Sequence, residues 1–319
     1  MIFEKQILNV YRSMMFTRCD DVETVKYFSG EDFQGLKAEP CQFKSSLGHT
    51  LKGYFYEYDN PVKDRLIVFD HGFGGGHRAY MTEIEKLCRH GYRVFSYDHS
   101  GCMESGGDGP NGLSQSLRDL NDCISALKQD SRFATTDISV VGHSWGAFST
   151  MNIVAYHPEI SHIVAISGFV SVEEMVKTFF AGLLKGYRRP VMKLETESNP
   201  EFVHANAITS LTNSDTKALL IYSENDALCK ISHYNLLKNA LAEKPNIRFI
   251  LEKNKGHNPN YTEAAVALLG EFSKRRTKLL KKKNVSAEEK ASFVSSFDFS
   301  KMTEQDEKLW CEIFRHLDA

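Results

Sequence analysis

Ser144 sits in Gly142-His143-Ser144-Trp145-Gly146, after the apolar run Ile138-Ser139-Val140-Val141 and before a helix-compatible run, Ala147 to Tyr156. A serine on a sharp strand-to-helix turn is held forward under backbone strain, and small neighbours are needed because strand and helix pass closely there. The helix that follows points its amino terminus at the hydroxyl, where unpaired N–H groups favour developing negative charge. The pattern predicts nucleophilic attack by Ser144 on a carbonyl, with the Trp145 N–H as one donor to the oxyanion. The plain alternative is an ordinary strand-turn-helix carrying a surface serine.

A serine hydroxyl is a weak nucleophile at neutral pH and needs an adjacent base that is itself oriented by a carboxylate. Lys255-Gly256-His257-Asn258 follows the apolar run Ile247 to Leu251, which makes His257 the expected base. His233 lies inside a predicted helix, and His143 neighbours the serine but should point elsewhere because adjacent side chains on a turn diverge. The run Ala218 to Tyr222 leads into Ser223-Glu224-Asn225-Asp226. Asp226 is the preferred acid, although spacing alone does not separate it from Glu224.

Phe69-Asp70-His71-Gly72-Phe73-Gly74-Gly75-Gly76 follows another apolar run, Arg65 to Asp70. Glycines there let the backbone approach a substrate oxygen, so the Phe73 N–H is the expected second oxyanion donor beside Trp145. The stretch lacks the spacing of a phosphate loop. Neither a cofactor nor a metal site is expected.

The elements that must position these residues alternate along the chain. Gln42 to Lys44 and Leu51 to Tyr58 read as an antiparallel hairpin over a Ser-Ser-Leu-Gly turn, with Tyr54, Tyr56 and Tyr58 on a half-exposed face. Strands are expected at Arg65 to Asp70, Arg93 to Tyr97, Ile138 to Val141, His162 to Ser167, Ala218 to Tyr222 and Ile247 to Leu251. Helices are expected near Tyr80 to His90 and Ser114 to Lys128, after the Ser144 turn, near Ser232 to Ala242 and from Thr262. Such alternation implies an α/β fold with a mostly parallel sheet, whose ligands bind beyond the carboxyl ends of the strands.

The rhythm breaks between Gly168 and Ala207, where Met175, Val176, Phe179, Phe180, Leu183 and Leu184 form a broad apolar face. A helical insertion over residues 169–206 is expected to cover the site, with residues 1–168 and 207–319 forming the core. Met175, Phe179 and Phe180 are candidates for lining a substrate pocket, and packing on the core is the plainer reading of the same face.

At 319 residues, 42% hydrophobic and 25% charged, the composition is that of a globular protein, and no run approaches the roughly 18 apolar residues of a membrane span. A net charge of −2 gives no general reason to expect a nucleic-acid partner. The amino terminus, from Met1 and Ile2 onward, lacks the pattern of a secretory signal, and Phe3, Ile7, Val10 or Tyr11, and Met14 recur as in a docked amphipathic helix. Seven scattered cysteines without a Cys-x-x-Cys pair argue against disulfides or structural zinc, and for a cytoplasmic setting.

The basic run from Lys274 to Lys283 reads as a solvated helix end. Asn284 to Ser300 reads as irregular. Thr303-Glu304-Gln305-Asp306 matches a capping box before Leu309, Trp310, Ile313, Phe314 and Leu317, a face to be buried on the core or against a second copy.

Over about Cys41 to Lys283 the chain resembles the α/β-hydrolase family, in the branch of serine aminopeptidase-like, monoacylglycerol-lipase-like and cinnamoyl-esterase-like proteins. The resemblance rests on His71-Gly72-Phe73-Gly74, on Tyr97-Asp98-His99-Ser100-Gly101-Cys102-Met103-Glu104-Ser105, on Gly142 to Gly146, on the loop ending at Asp226, and on Gly256-His257. Cys102-Met103 replaces the usual His-Gly, and Asn225-Asp226-Ala227 the common Asp-Asp-Pro. The family implies an eight-stranded, mostly parallel sheet flanked by helices with a small helical cap, and the chain order nucleophile, acid, histidine.

The expected activity is hydrolysis of a small carboxylic ester by Ser144, Asp226 and His257 through an acyl-enzyme, in a monomer or homodimer acting on a small-molecule substrate. A peptidase or amidase would use the same triad with an acidic anchor for a substrate amine, for which Glu173, Glu174, Glu195 and Glu197 are candidates. A silent binding protein on the same fold is the other alternative.

Overall fold

The computed structural model describes residues 3–59 and 61–319; Met1, Ile2 and Asn60 lie outside the described residues. The first helix, α1 (Glu4–Met15), leads to an antiparallel hairpin, β1 (Lys37–Lys44) and β2 (Thr50–Glu57). The hairpin's first strand begins five residues earlier than expected from Gln42, because Lys37 to Cys41 pair fully with β2 although their side chains are largely exposed. Then follow β3 (Arg65–Asp70), α2 (Met81–Arg89), β4 (Arg93–Tyr97), α3 (Gln115–Gln129), β5 (Asp137–His143), α4 (Trp145–Ile153) and β6 (His162–Ile166).

Between β6 and the next strand run α5 (Val172–Phe179), a 3-10 turn (Gly182–Tyr187), α6 (Arg188–Ser198) and α7 (Ala207–Thr212). The chain continues through β7 (Lys217–Ser223), α8 (Ile231–Leu241), β8 (Ile247–Glu252) and α9 (Glu263–Leu280). Three further helices close it: α10 (Ala287–Ser295), α11 (Phe299–Met302) and α12 (Glu307–Leu317).

All eight strands form one sheet in the order β1-β2-β4-β3-β5-β6-β7-β8. The β1–β2 and β2–β4 pairs are antiparallel, and every pair from β4 to β8 is parallel. The central strands are apolar on both faces because helices cover both. Leu117, Phe148, Met151 and Leu237 bury one face, and Ile84, Leu87, Trp310 and Ile313 the other. No helix among the described residues is long and apolar enough to cross a membrane.

Three local expectations are corrected. In α1 the buried residues are Tyr11 and Met15, with Ile7 and Leu8 partly covered, whereas Phe3, Val10 and Met14 are exposed. The Tyr11 hydroxyl donates to the buried Glu195 carboxylate at 2.6 Å. Residues 284–300 are not irregular: Ser286 and Glu289 form a reciprocal capping box on α10, and Phe293 and Phe299 pack with Phe272 of α9. The cap of α12 is Asp306, which accepts from the N–H groups of Lys308 and Leu309, while Thr303 ends α11. The apolar face of α12 is buried on the chain's own core, and Phe314 stacks on His90 at 3.8 Å.

Candidate active site

The loops after β3, β5, β7 and β8 emerge at the carboxyl end of the parallel sheet, and they carry the residues singled out above. Ser144 links β5 to α4 with φ 56° and ψ −111°, a conformation that a residue with a side chain adopts only under strain. Its N–H donates to the Ile166 carbonyl at 2.8 Å, and its carbonyl accepts the Phe148 N–H. A Cβ on Gly142 would lie 2.2 Å from Thr150 Oγ1, and one on Gly146 would lie 2.0 Å from the Asp70 carbonyl oxygen. Both glycines are therefore required by close approach of the backbone.

The Ser144 hydroxyl donates to His257 Nε2 at 2.8 Å, and His257 Nδ1–H donates to Asp226 Oδ2 at 2.7 Å. The second oxygen of Asp226, whose side chain is fully buried, accepts the N–H groups of Leu228 and Cys229. Glu224, which spacing alone did not exclude, is exposed. His233 is buried under α5 and bonds the Val170 N–H and the Thr178 hydroxyl.

The Phe73 N–H, on the loop after β3, and the Trp145 N–H, at the start of α4, have no acceptor among the described residues. Their rings meet edge to face at 5.1 Å. His71 braces this loop: Nδ1–H donates to the Gly72 carbonyl at 2.7 Å and Nε2 accepts the His99 N–H at 3.0 Å. Burial, with His99 beside it, holds the His71 imidazole down at about 3, so it stays neutral in this role. Beneath lies a buried charge cluster in which His99 faces Asp70 at 3.1 Å and Asp119 at 3.4 Å. Burial disfavours the imidazolium there, yet the two carboxylates outweigh it and hold His99 up at about 9.

Sequence reasoning missed four residues that shape the site. His143 does not simply point away: it accepts from the Tyr80 hydroxyl and donates through Nε2 to the His257 carbonyl at 2.8 Å. Asn225, where the family more often has Asp, accepts the Gly256 N–H at 2.9 Å and so ties the loop after β7 to the loop after β8. Lys255 is buried and donates to the Tyr261 carbonyl and to Asp306. The Cys229 N–H donates to Asp226 Oδ1 at 3.1 Å, and its Sγ lies within 4.8 Å of an Asp226 oxygen and a His257 ring nitrogen. Only the proximity of Asp226 to Cys229, three residues on, carried a local hint of these contacts.

Met175 and Phe180 are buried, and Phe179 is half-buried against the apolar cluster that also holds Trp145, Phe73 and Cys229. The Phe180 ring meets Tyr11 at 5.9 Å. Of the four glutamates, Glu173 and Glu174 both pair with Lys177, and Glu197 pairs with Lys193. Glu195 is fully buried and accepts from Tyr11 and from the Leu113 N–H.

Residues 61–218, just under half of the chain, match the family profile described as serine aminopeptidase, S33. An esterase from Pyrococcus furiosus superposes with a TM-score of 0.60 at 21% identity, covering 81% of this chain and 98% of that one. The chain has the α/β-hydrolase fold. The same fold is found in Est1E from Butyrivibrio proteoclasticus, solved with ferulic acid bound, at a TM-score of 0.55 and 17% identity over 76% of this chain and 100% of that one. A proline iminopeptidase from Saccharolobus solfataricus is 28% identical over 161 residues, which is 48% of this chain and 51% of that protein. The chain thus spans about half the length of that curated relative.

Proposed function

We propose that this chain is a serine hydrolase of the α/β-hydrolase family that cleaves a small carboxylic ester through an acyl-enzyme. The observation that carries the reading is the position of His257, 2.8 Å from the Ser144 hydroxyl and 2.7 Å from Asp226. Ser144 Oγ attacks the ester carbonyl while His257 Nε2 takes its proton. The tetrahedral oxyanion is held by the N–H groups of Phe73 and Trp145, and the C–O bond breaks as His257 returns the proton to the departing alcohol. A water molecule then attacks the acyl carbonyl, giving its proton to His257, and the carboxylic acid leaves as Ser144 recovers its hydrogen. Asp226 stabilises the imidazolium and fixes its orientation throughout.

Residues 169–206 act in this reading as the cap, with Met175, Phe179 and Phe180 on its apolar side toward the acyl or aryl part of the substrate. The strained φ of Ser144 and the two free N–H groups support a reacting serine rather than a surface one. Ester cleavage is favoured by the esterase likenesses and by the engagement of every glutamate considered as an amine anchor. The serine aminopeptidase profile favours a peptidase as the second reading. Seven free thiols fit a reducing compartment such as the cytoplasm.

The test is labelling by a fluorophosphonate probe, followed by a panel of graded acyl esters, aryl esters and aminoacyl amides. Labelling should map to Ser144, and Ser144→Ala should lose about 10⁴-fold or more of ester turnover. Absence of labelling, or unchanged turnover in the variant, would leave a silent binding protein. Preference for aminoacyl amides would select the peptidase.

A further inference from the structure

Cys229 is 1% exposed, and a buried cysteine is ordinarily a small apolar filler. Its surroundings differ from a core site. Its Sγ, a carboxylate oxygen of Asp226 and a ring nitrogen of His257 all lie within 4.8 Å of one another. Sulfur, nitrogen and oxygen bound tetrahedrally to one zinc ion at about 2.0–2.3 Å are separated by roughly 3.3–3.7 Å, so small side-chain rotations would close the cluster on an ion.

We propose that Asp226, Cys229 and His257 form a binding site for a thiophilic divalent cation, of which Zn²⁺ is the type, and that its occupation switches hydrolysis off. The donor set of one thiolate, one imidazole and one carboxylate selects zinc over magnesium or calcium, which take oxygen ligands. Three protein ligands leave a fourth position, which the Ser144 hydroxyl or a water molecule can fill.

Charge supports the same assignment. The Cys229 thiol must give up its proton to bind a metal ion. When the metal–sulfur bond forms, that proton leaves to solvent, and thiolate plus carboxylate balance the two positive charges of the ion while the imidazole stays neutral. The ring nitrogen's lone pair is then committed to the metal, or its bond to Asp226 is broken, and in either case the imidazole no longer serves Ser144. Inhibition rests on the catalytic reading given above; the metal site itself does not.

The experiment adds Co²⁺ to the intact chain and to Cys229→Ala and Cys229→Ser, reading the near-ultraviolet sulfur-to-cobalt charge-transfer band. The same proteins are then assayed with Zn²⁺ before and after EDTA. The wild type should show the band, lose about tenfold or more of ester turnover with Zn²⁺, and recover with EDTA. Both variants should lack the band and keep most of their turnover at the same Zn²⁺. A wild type without the band, or equal zinc inhibition of all three proteins, overturns the proposal. Cys229→Ser preserves side-chain size, so a folding defect in the alanine variant leaves the comparison intact. Fluorophosphonate labelling separates the two readings: a cobalt band without labelled Ser144 keeps the metal site and removes the catalysis, and a labelled Ser144 without the band does the reverse.

Discussion

The Lys255 ammonium lies 2.7 Å from the Asp306 carboxylate, two residues before His257, so the amino-terminal cap of the last helix holds the loop that carries the proposed base. The same segment pairs Tyr261 with Gln305, and the Asp306 N–H donates to the Asn260 carbonyl. Burial raises the Asp306 carboxyl, but Lys255 and the α12 N–H groups outweigh it and hold it below its ordinary value.

Asp306→Ala removes a helix cap and leaves a buried ammonium unpaired, for a combined loss of about 3 kcal/mol or more. Because the folded-state carboxyl is depressed, the stabilisation is present above its unfolded pKa of about 4 and fades as the pH falls below it. Urea titrations at pH 7 and pH 3.5 should show a large gap between wild type and variant at the first and a smaller one at the second. A variant as stable as wild type at pH 7 would show that the last helix does not brace the His257 loop.

Glu195 behaves oppositely. Burial pushes its carboxyl from 4.5 up to about 7, although the Tyr11 hydroxyl and the Leu113 N–H pull it down. A raised folded-state carboxyl penalises ionisation, so its stability contribution is complete below the unfolded value and is lost as the pH rises through about 7. Wild type should lose on the order of 3 kcal/mol relative to Glu195→Gln between pH 4 and pH 9, read as the pH dependence of the difference in urea midpoint.

Gly146→Ala would place a methyl group 2.0 Å from the Asp70 carbonyl oxygen. Neither partner is a flexible side chain, so α4 must move away from β3. We expect a loss of about 3 kcal/mol or more together with loss of probe labelling at Ser144. A well-folded, normally labelled variant would contradict the close approach.

His143→Ala removes the N–H that anchors the His257 carbonyl while leaving the proposed catalytic groups in place. Burial and the neighbouring His257 keep the His143 imidazole down at about 3, so its anchoring is constant across neutral pH. Turnover should fall by about tenfold, equivalent to ~1.4 kcal/mol, with KM little changed and the shape of the pH profile retained. A rise in KM alone would assign His143 to substrate binding instead.

The strands were legible because each is a short apolar run, and their central pairing leaves both faces buried. β3 and β4 match their expected limits, and β5 and β7 extend by one or two residues into less apolar positions. Helix α10 was less visible, since only Phe293 is buried along it and the signal lay in Ser286 and Glu289. The orientation of α1 was hidden because the partner of Tyr11, Glu195, is 184 residues away.

From the sequence alone came the α/β order, the strained serine turn, the acid loop after β7 and the histidine loop after β8. These are local: turn sterics and apolar periodicity act over a few residues and leave their mark in residue type. The tertiary structure alone decided the bonds from His257 to Ser144 and Asp226, the bracing by His143, Lys255 and Asp306, and the approach of Cys229. Each of these depends on atoms brought within a few ångströms by the order and register of the strands, a property of the folded sheet that no stretch of chain carries by itself.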